Sequence, residues 1–180
     1  VLFYGQAIAA VLAETHDQAK KAALLVQAKI KELEAVVTVE QALEKKSFLD
    51  EPIVVSTGDS QTAIKKAKNT LNGSLSIGGQ EHYYLEGQVA ISIPTEDNEI
   101  VVHSSTQNPT EVQHLVAHVL DVPQNAIEVV TRRMGGGFGG KETDSSQLAC
   151  ICAIFSKRTQ QPVKARLSRK DDILLTGKRH

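Results

Sequence analysis

Apolar runs of strand length alternate along the chain with stretches of helical spacing. Val1 to Glu14 is dense in Val, Leu, Ile and Ala and reads as a buried strand, with Gly5 as a bulge or turn. Thr15 or Asp17 can cap a helix reaching about Leu33, with an apolar stripe of Ala19, Ala22, Ala23, Leu25, Val26, Ile30 and Leu33. A short strand over Ala35 to Val39 and a short helix over Val39 to Lys46 complete a β-α-β-α first third. Ser47 to Ser60 is looser, with Asp50-Glu51-Pro52 and Thr57-Gly58-Asp59, which places a boundary near residue 50.

The second part predicts a short helix over Gln61 to Lys68 and a strand over Asn72 to Ile77. Glu86 to Pro94 and Glu99 to Ser104 alternate apolar with small or polar residues, and Thr95 to Asn98 joins them as a hairpin. Asn108 caps a helix with Pro109 at its first position, ending before Pro123. A strand over Ile127 to Thr131, a glycine loop, a helix over Thr143 to Lys157, a strand over Pro162 to Leu167 and a short helix over Asp171 to Thr176 follow. The fold class is α/β with a mixed sheet.

Composition narrows the function classes. The 180 residues are 41% hydrophobic and 23% charged, ordinary for a globular protein. Twenty basic and 21 acidic residues leave a net charge of -1, so there is no electrostatic case for nucleic acid or an anionic membrane. With 4% aromatics and no Trp, a base-stacking platform is also excluded. Cys150 and Cys152 stand too close to bridge, and no apolar run has membrane-spanning length. The expectation is a soluble, reduced, cytoplasmic protein. Val1 enters directly on an apolar pattern and Gly177-Lys178-Arg179-His180 has no terminal character, so both ends read as cuts through a longer chain.

Arg132 to Glu142, RRMGGGFGGKE, is the most unusual segment, with five of the 12 glycines. Glycine permits positive φ and close approach of backbone to a ligand. Between a strand and a helix, such a loop is expected to present unpaired N–H groups to an anion. Gly135 and Gly140-Lys141 fit the spacing of a phosphate-binding loop, but Glu142 stands where Ser or Thr would hold magnesium. Gly135, Gly137 and Gly140 fit the dinucleotide pattern, but Gln160 and Gln161 occupy the place of the ribose-binding carboxylate. Each nucleotide reading lacks a required part.

Met134 to Glu142 resembles the cofactor loop of the xanthine dehydrogenase/aldehyde oxidase family of molybdenum hydroxylases. Ile77-Gly78-Gly79-Gln80-Glu81-His82-Tyr83-Tyr84-Leu85-Glu86 resembles a second signature of that family, Ser105-Thr106-Gln107-Asn108 a third and Leu175 to His180 a fourth, in which Lys178 departs from the usual Gly. Order and spacing agree, and the likeness is weakest over Ser47 to Leu71. It implies that residues 1–50 are the end of an α/β hammerhead domain and 51–180 the start of a molybdopterin-binding domain.

The resemblance further implies a molybdenum–molybdopterin cofactor that hydroxylates an activated carbon with water-derived oxygen. Electrons would leave through 2Fe-2S clusters to FAD in other domains or subunits. Cofactor contacts would come from Gln80, Gly137, Phe138 and Gly139, with Gln80 and Phe138 near the metal and no direct protein ligand. Glu142 would hydrogen-bond a purine, as in the xanthine-oxidising branch, where the aldehyde-oxidising branch has an apolar residue. The general-base Glu of the family would lie beyond residue 180, so this chain alone is expected to be inactive. The implied partners are a purine, an iron–sulfur/FAD subunit or domain and the rest of the molybdenum subunit. Rival readings are an aldehyde oxidoreductase, a nucleotide-binding module and a non-catalytic interaction domain.

Other clusters carry bland expectations. His114 and His118 have zinc-compatible spacing but no third ligand, so a solvated or packing role is expected. Cys150 and Cys152 read as small buried side chains, the lysine pairs 20–21 and 65–66 as solvated faces, and Glu81 and Glu86 as pointing to opposite faces of a strand.

Overall fold

The computed structural model describes residues 1–179. Its elements run α1 (His16–Ala23), α2 (Val39–Lys45), α3 (Ser60–Lys66), β1 (Val89–Pro94), β2 (Ile100–Ser104), α4 (Pro109–Leu120), β3 (Ile127–Val130), α5 (Asp144–Thr159), β4 (Val163–Arg166) and α6 (Arg169–Leu175). They fall into two compact units, Val1–Val26 with Ile77–His180 and, separately, Gln27–Ser76.

In the first unit the sheet has the order β3-β2-β1-β4. β1 pairs antiparallel with both β2 and β4, and β2 pairs parallel with β3, so the sheet is mixed as expected. Period-two alternation sends Ala90 and Ser92 of β1, and Ile100 and Val102 of β2, toward the helices. Asn108 caps α4 by accepting a hydrogen bond from Glu111 N at 3.1 Å, and Val112, Val116 and Leu120 form its buried stripe. α5 buries a stripe of small residues, Ser145, Ala149, Cys152, Ala153 and Ser156, which lets its backbone lie close to the sheet. Cys152 Sγ comes within 3.6 Å of Ala90 O. The core thus sits between the sheet and the α4–α5 pair.

Four expected elements take other forms. Val1 to Glu14 is not a strand: a turn at Phe3–Gln6 opens it, and Leu2, Phe3 and Tyr4 are exposed. An apolar run becomes a strand only where a neighbouring backbone completes its ladder, and among the described residues none does. α1, capped by the expected Thr15 in a capping box with Gln18, stops at Ala23 rather than Leu33. Leu25, Ile30 and Leu33 are exposed, and a short helix without a buried face has little to sustain it. Ala35 to Val39 and Asn72 to Ile77 are irregular, not strands.

In the second unit, Thr38 caps α2 and Asp59 caps α3. Neither helix buries a residue, and Lys45 pairs with Glu34. Among the described residues no helix is long and apolar enough to cross a membrane.

Ile127, 1% exposed, anchors β3 beneath α4. Ile127→Ala should cost about 2–5 kcal/mol, the usual range for emptying a packed aliphatic site. Hydrogen exchange in the full-length protein would show this as faster exchange of β2 and β3 amides than of distant elements, and unchanged protection there would contradict the packing.

Candidate functional site

The glycine loop leaves β3 and runs to α5, which begins at Asp144 with Thr143 as its cap, close to the expected start, so Lys141 and Glu142 belong to the loop. Three of its residues have left-handed backbone: Gly136 (φ +94°), Phe138 (φ +53°) and Gly139 (φ +92°). For Phe138 this conformation is strained, and its ring is 72% exposed. A non-glycine residue is therefore held in an unfavourable conformation with its side chain outward.

The expected array of unpaired N–H groups is mostly paired inside the protein. Gly135 N donates to Glu86 Oε2 (3.3 Å), Gly140 N to Gly137 O (2.8 Å) and Glu142 N to Gly139 O (3.5 Å). Gly139 N (2.9 Å) and Lys141 N (3.3 Å) both donate to Gln107 Oε1. The N–H groups of Gly136, Gly137 and Phe138 have no acceptor among the described residues. The loop is thus a fixed cradle with three consecutive free N–H groups at its centre.

Lys141 supplies the fixing. Its side chain is fully buried, and Nζ donates to Ser105 Oγ (2.8 Å) and Glu86 Oε1 (3.2 Å) and lies 4.7 Å from the centre of the Tyr84 ring. Burial pushes the ammonium below the ordinary lysine range, and Glu86 and Asp172 oppose that shift. At Glu86 burial works to raise the carboxyl, but Ser105, the Lys141 hydrogen bond and charge, and Gly135 N outweigh it and hold it below 4.5. A phosphate-loop lysine must reach its ligand. This one is turned inward and neutralised, which removes the phosphate-cradle reading.

A second buried group supports the loop from beneath. Tyr84 OH donates to Asp172 Oδ1 (2.5 Å) and accepts from Gln88 Nε2 (3.0 Å). Gln88 N donates to Asp172 Oδ2 (2.7 Å), and Gln88 Nε2 also reaches Gly140 O (2.9 Å). Burial, with Asp172 beside it, pushes the Tyr84 hydroxyl far above its ordinary range, so it remains a donor. Sequence reasoning missed this network, whose members Tyr84, Gln88, Gly140 and Asp172 are too far apart in the chain for any local pattern to join them.

The expected site residues separate into two groups. Gly137, Phe138, Gly139 and Glu142 share the loop. Gly137 is glycine for a visible reason: a Cβ there would run into the Gln107 carboxamide. Gln80 does not join them in any hydrogen bond. It forms a backbone bridge with Arg179, whose Nε (3.2 Å) and Nη2 (2.8 Å) both donate to Gln80 Oε1. The glutamine against the loop is Gln107, whose Oε1 is fixed by two backbone N–H groups while Nε2 has no partner among the described residues. It stands in the Ser105–Asn108 signature, but nothing in the sequence ranked it above Gln80.

The Glu142 carboxylate is exposed with no partner among the described residues. Glu81 pairs with Lys178 and Glu86 with Lys141, so they are not a carboxylate pair. His114 and His118 are exposed, Cys152 is buried and Cys150 half-buried. Burial pushes both thiols up to about 11, which keeps them unreactive. Among the described residues no group of three His, Cys, Asp or Glu could hold a metal ion.

A mixed sheet with a glycine cradle at the end of β3 is the frame of a cofactor-holding domain, and the comparisons agree. The family model "Molybdopterin cofactor-binding domain" matches residues 43–180, and the chain belongs to that family. It is 43% identical over 177 residues to the xanthine dehydrogenase of Emericella nidulans, covering 98% of this chain and 13% of that protein. It is 42% identical over 180 residues to a Caenorhabditis elegans protein named "Probable aldehyde oxidase", covering 98% of this chain and 14% of that one. The chain therefore spans a small part of its curated relatives' length. Among solved structures, the aldehyde oxidoreductase from Desulfovibrio gigas superposes with a TM-score of 0.76 at 23% identity, over 93% of this chain and 19% of that one, and shares the fold.

Because the Glu86 carboxyl is held below its ordinary value, the stability it contributes is present above about pH 4.5 and is lost as pH falls through the lowered value. In the full-length protein, protection factors of the Gly135 and Lys141 amides should fall with pH in that window, and Glu86→Gln should flatten the decline. Lys141→Met should cost the same amides about 1–3 kcal/mol of protection, the usual penalty for leaving a buried polar group unmatched. Equal protection in all three proteins would refute the clamp.

Proposed function

We propose that this chain is the cofactor-holding wall of a molybdenum hydroxylase that oxidises xanthine and hypoxanthine to urate with water-derived oxygen. Electrons pass to 2Fe-2S clusters and FAD in other domains or subunits. The reading is carried by a cofactor-family loop tied down on both flanks, with the N–H groups of Gly136, Gly137 and Phe138, the Gln107 amide and the Glu142 carboxylate left without partners among the described residues. Residues 1–50 are read as the end of an α/β hammerhead domain and 51–180 as the start of the molybdopterin-binding domain.

The molybdenum–molybdopterin group, when bound, supplies the redox chemistry. The residues present suit it: Gly137 and Gly140 have no room for side chains on the Gln107 and His82 faces, and Gly139 has a φ of +92°, so backbone can lie against a flat ligand. Gln107 adds a second amide to the one that the sequence suggested at Gln80. With Oε1 bound by Gly139 and Lys141 N–H, its NH2 is the end left to donate to an acceptor near the metal. Gln80, whose Oε1 accepts from Arg179 while Nε2 has no partner among the described residues, is proposed to lie beside the molybdenum as well.

Glu142 orients the substrate. A carboxylate matches the N–H groups of a purine, whereas a simple aldehyde offers none. The alternative, an aldehyde oxidoreductase, is favoured by the similarity to the C. elegans protein, 42% against 43% for the fungal xanthine dehydrogenase. The purine substrate, the iron–sulfur/FAD partner, the remaining molybdenum domain with its general-base Glu, and a cytoplasmic location complete the proposal.

In the full-length enzyme, Glu142→Val should lower kcat/KM for xanthine by about two orders of magnitude or more, as expected where a site built to pair a polar substrate loses its partner. An aldehyde should be affected far less. Unchanged xanthine kinetics would sink the purine assignment. Gln107→Leu should lower kcat per bound molybdenum, and full turnover in that variant would return the amide role to another residue.

A further inference from the structure

His82 borders the loop beside Tyr84, at Gly139 and Gly140. Its ring is roughly parallel to that of Tyr84, 20° between planes and 6.5 Å between centres. A Cβ on Gly140 would come within 2.7 Å of Nδ1 and one on Gly139 within 3.8 Å of Nε2, so the imidazole edge fills the space these glycines leave. Nδ1 is buried and has no hydrogen-bond partner. Neither ring nitrogen is bonded to any described residue.

A neutral imidazole carries one N–H and one acceptor nitrogen. A proton on Nδ1 would be buried with no acceptor bonded to it among the described residues. The proton therefore belongs on Nε2, the nitrogen nearer the exposed Gly139. An N–H left without an acceptor at the edge of a cofactor cradle is a donor waiting for one.

We propose that His82 Nε2–H hydrogen-bonds an acceptor on the pterin cofactor, a ring carbonyl or nitrogen, along the Gly139–Gly140 edge. The inference rests on the proposed function, because it needs the cofactor at this loop. His82 then holds the ligand rather than the fold, and it takes no part in transferring atoms.

The test uses the full-length protein loaded with cofactor, and reads the rate at which molybdenum and pterin are lost during dilution. Thermal unfolding of each variant monitors the fold. His82→Gln keeps an N–H near the Nε2 position, His82→Asn moves it to the Nδ1 position, and His82→Phe keeps the ring without a donor. Wild type and His82→Gln should lose cofactor at rates within about twofold, while His82→Asn and His82→Phe should lose it about five- to tenfold faster, the factor for one neutral hydrogen bond. Equal rates in wild type and His82→Phe would overturn the assignment and leave the family reading intact. Loss accelerated equally in all three variants, together with a lowered melting temperature, would also overturn it in favour of packing. A wild-type protein that carries no molybdopterin would overturn both this inference and the function it rests on.

Discussion

The buried ammonium of Lys141 is the contact on which the site depends. It sits where a side chain with no access to water must find its charge partner inside, and it finds Glu86, Ser105 and the face of Tyr84. Glu86 grips the loop's first glycine through its other oxygen, so one ion pair spans the loop from Gly135 to Lys141. An ion pair of this kind adds little net stability. Removing one partner is costly, which makes the arrangement specific rather than strong.

Function follows from that rigidity. Gln107 carboxamide oxygen and Gln88 amide nitrogen hold Gly139, Gly140 and Lys141 from two sides, and Asp172 orients Tyr84 and Gln88 together. The strained backbone of Phe138 persists because its neighbours on both sides are tied down. A cofactor bound here meets groups already in place, so little ordering is needed on binding.

The part of the fold from Val89 onward was legible in the sequence because local signals and tertiary burial agree there. Asn108-Pro109 caps a helix that also has a buried face, and β1 and β2 alternate as their pairing requires. The first third misled because apolar content was read as burial. Leu25, Ile30 and Leu33 repeat at helical spacing, yet each is exposed. Within the site, the glycine loop was visible as composition, but its hydrogen bonds were not. Finding Gln107 required knowing that it faces the loop, and the pairing of Asp172 with Tyr84 spans 88 positions of chain. Lys141 stood at the spacing of a phosphate-binding lysine. Only packing shows that it points inward.

The central claim is that a molybdopterin cofactor lies against the backbone of residues 137–139. A structure of the full-length protein with its bound cofactor tests this directly. The account predicts the pterin and metal within hydrogen-bond distance of Phe138 N–H or the Gln107 amide, with the Lys141–Glu86 pair unbroken beneath. A cofactor seated elsewhere, with residues 137–139 open to solvent, would contradict it.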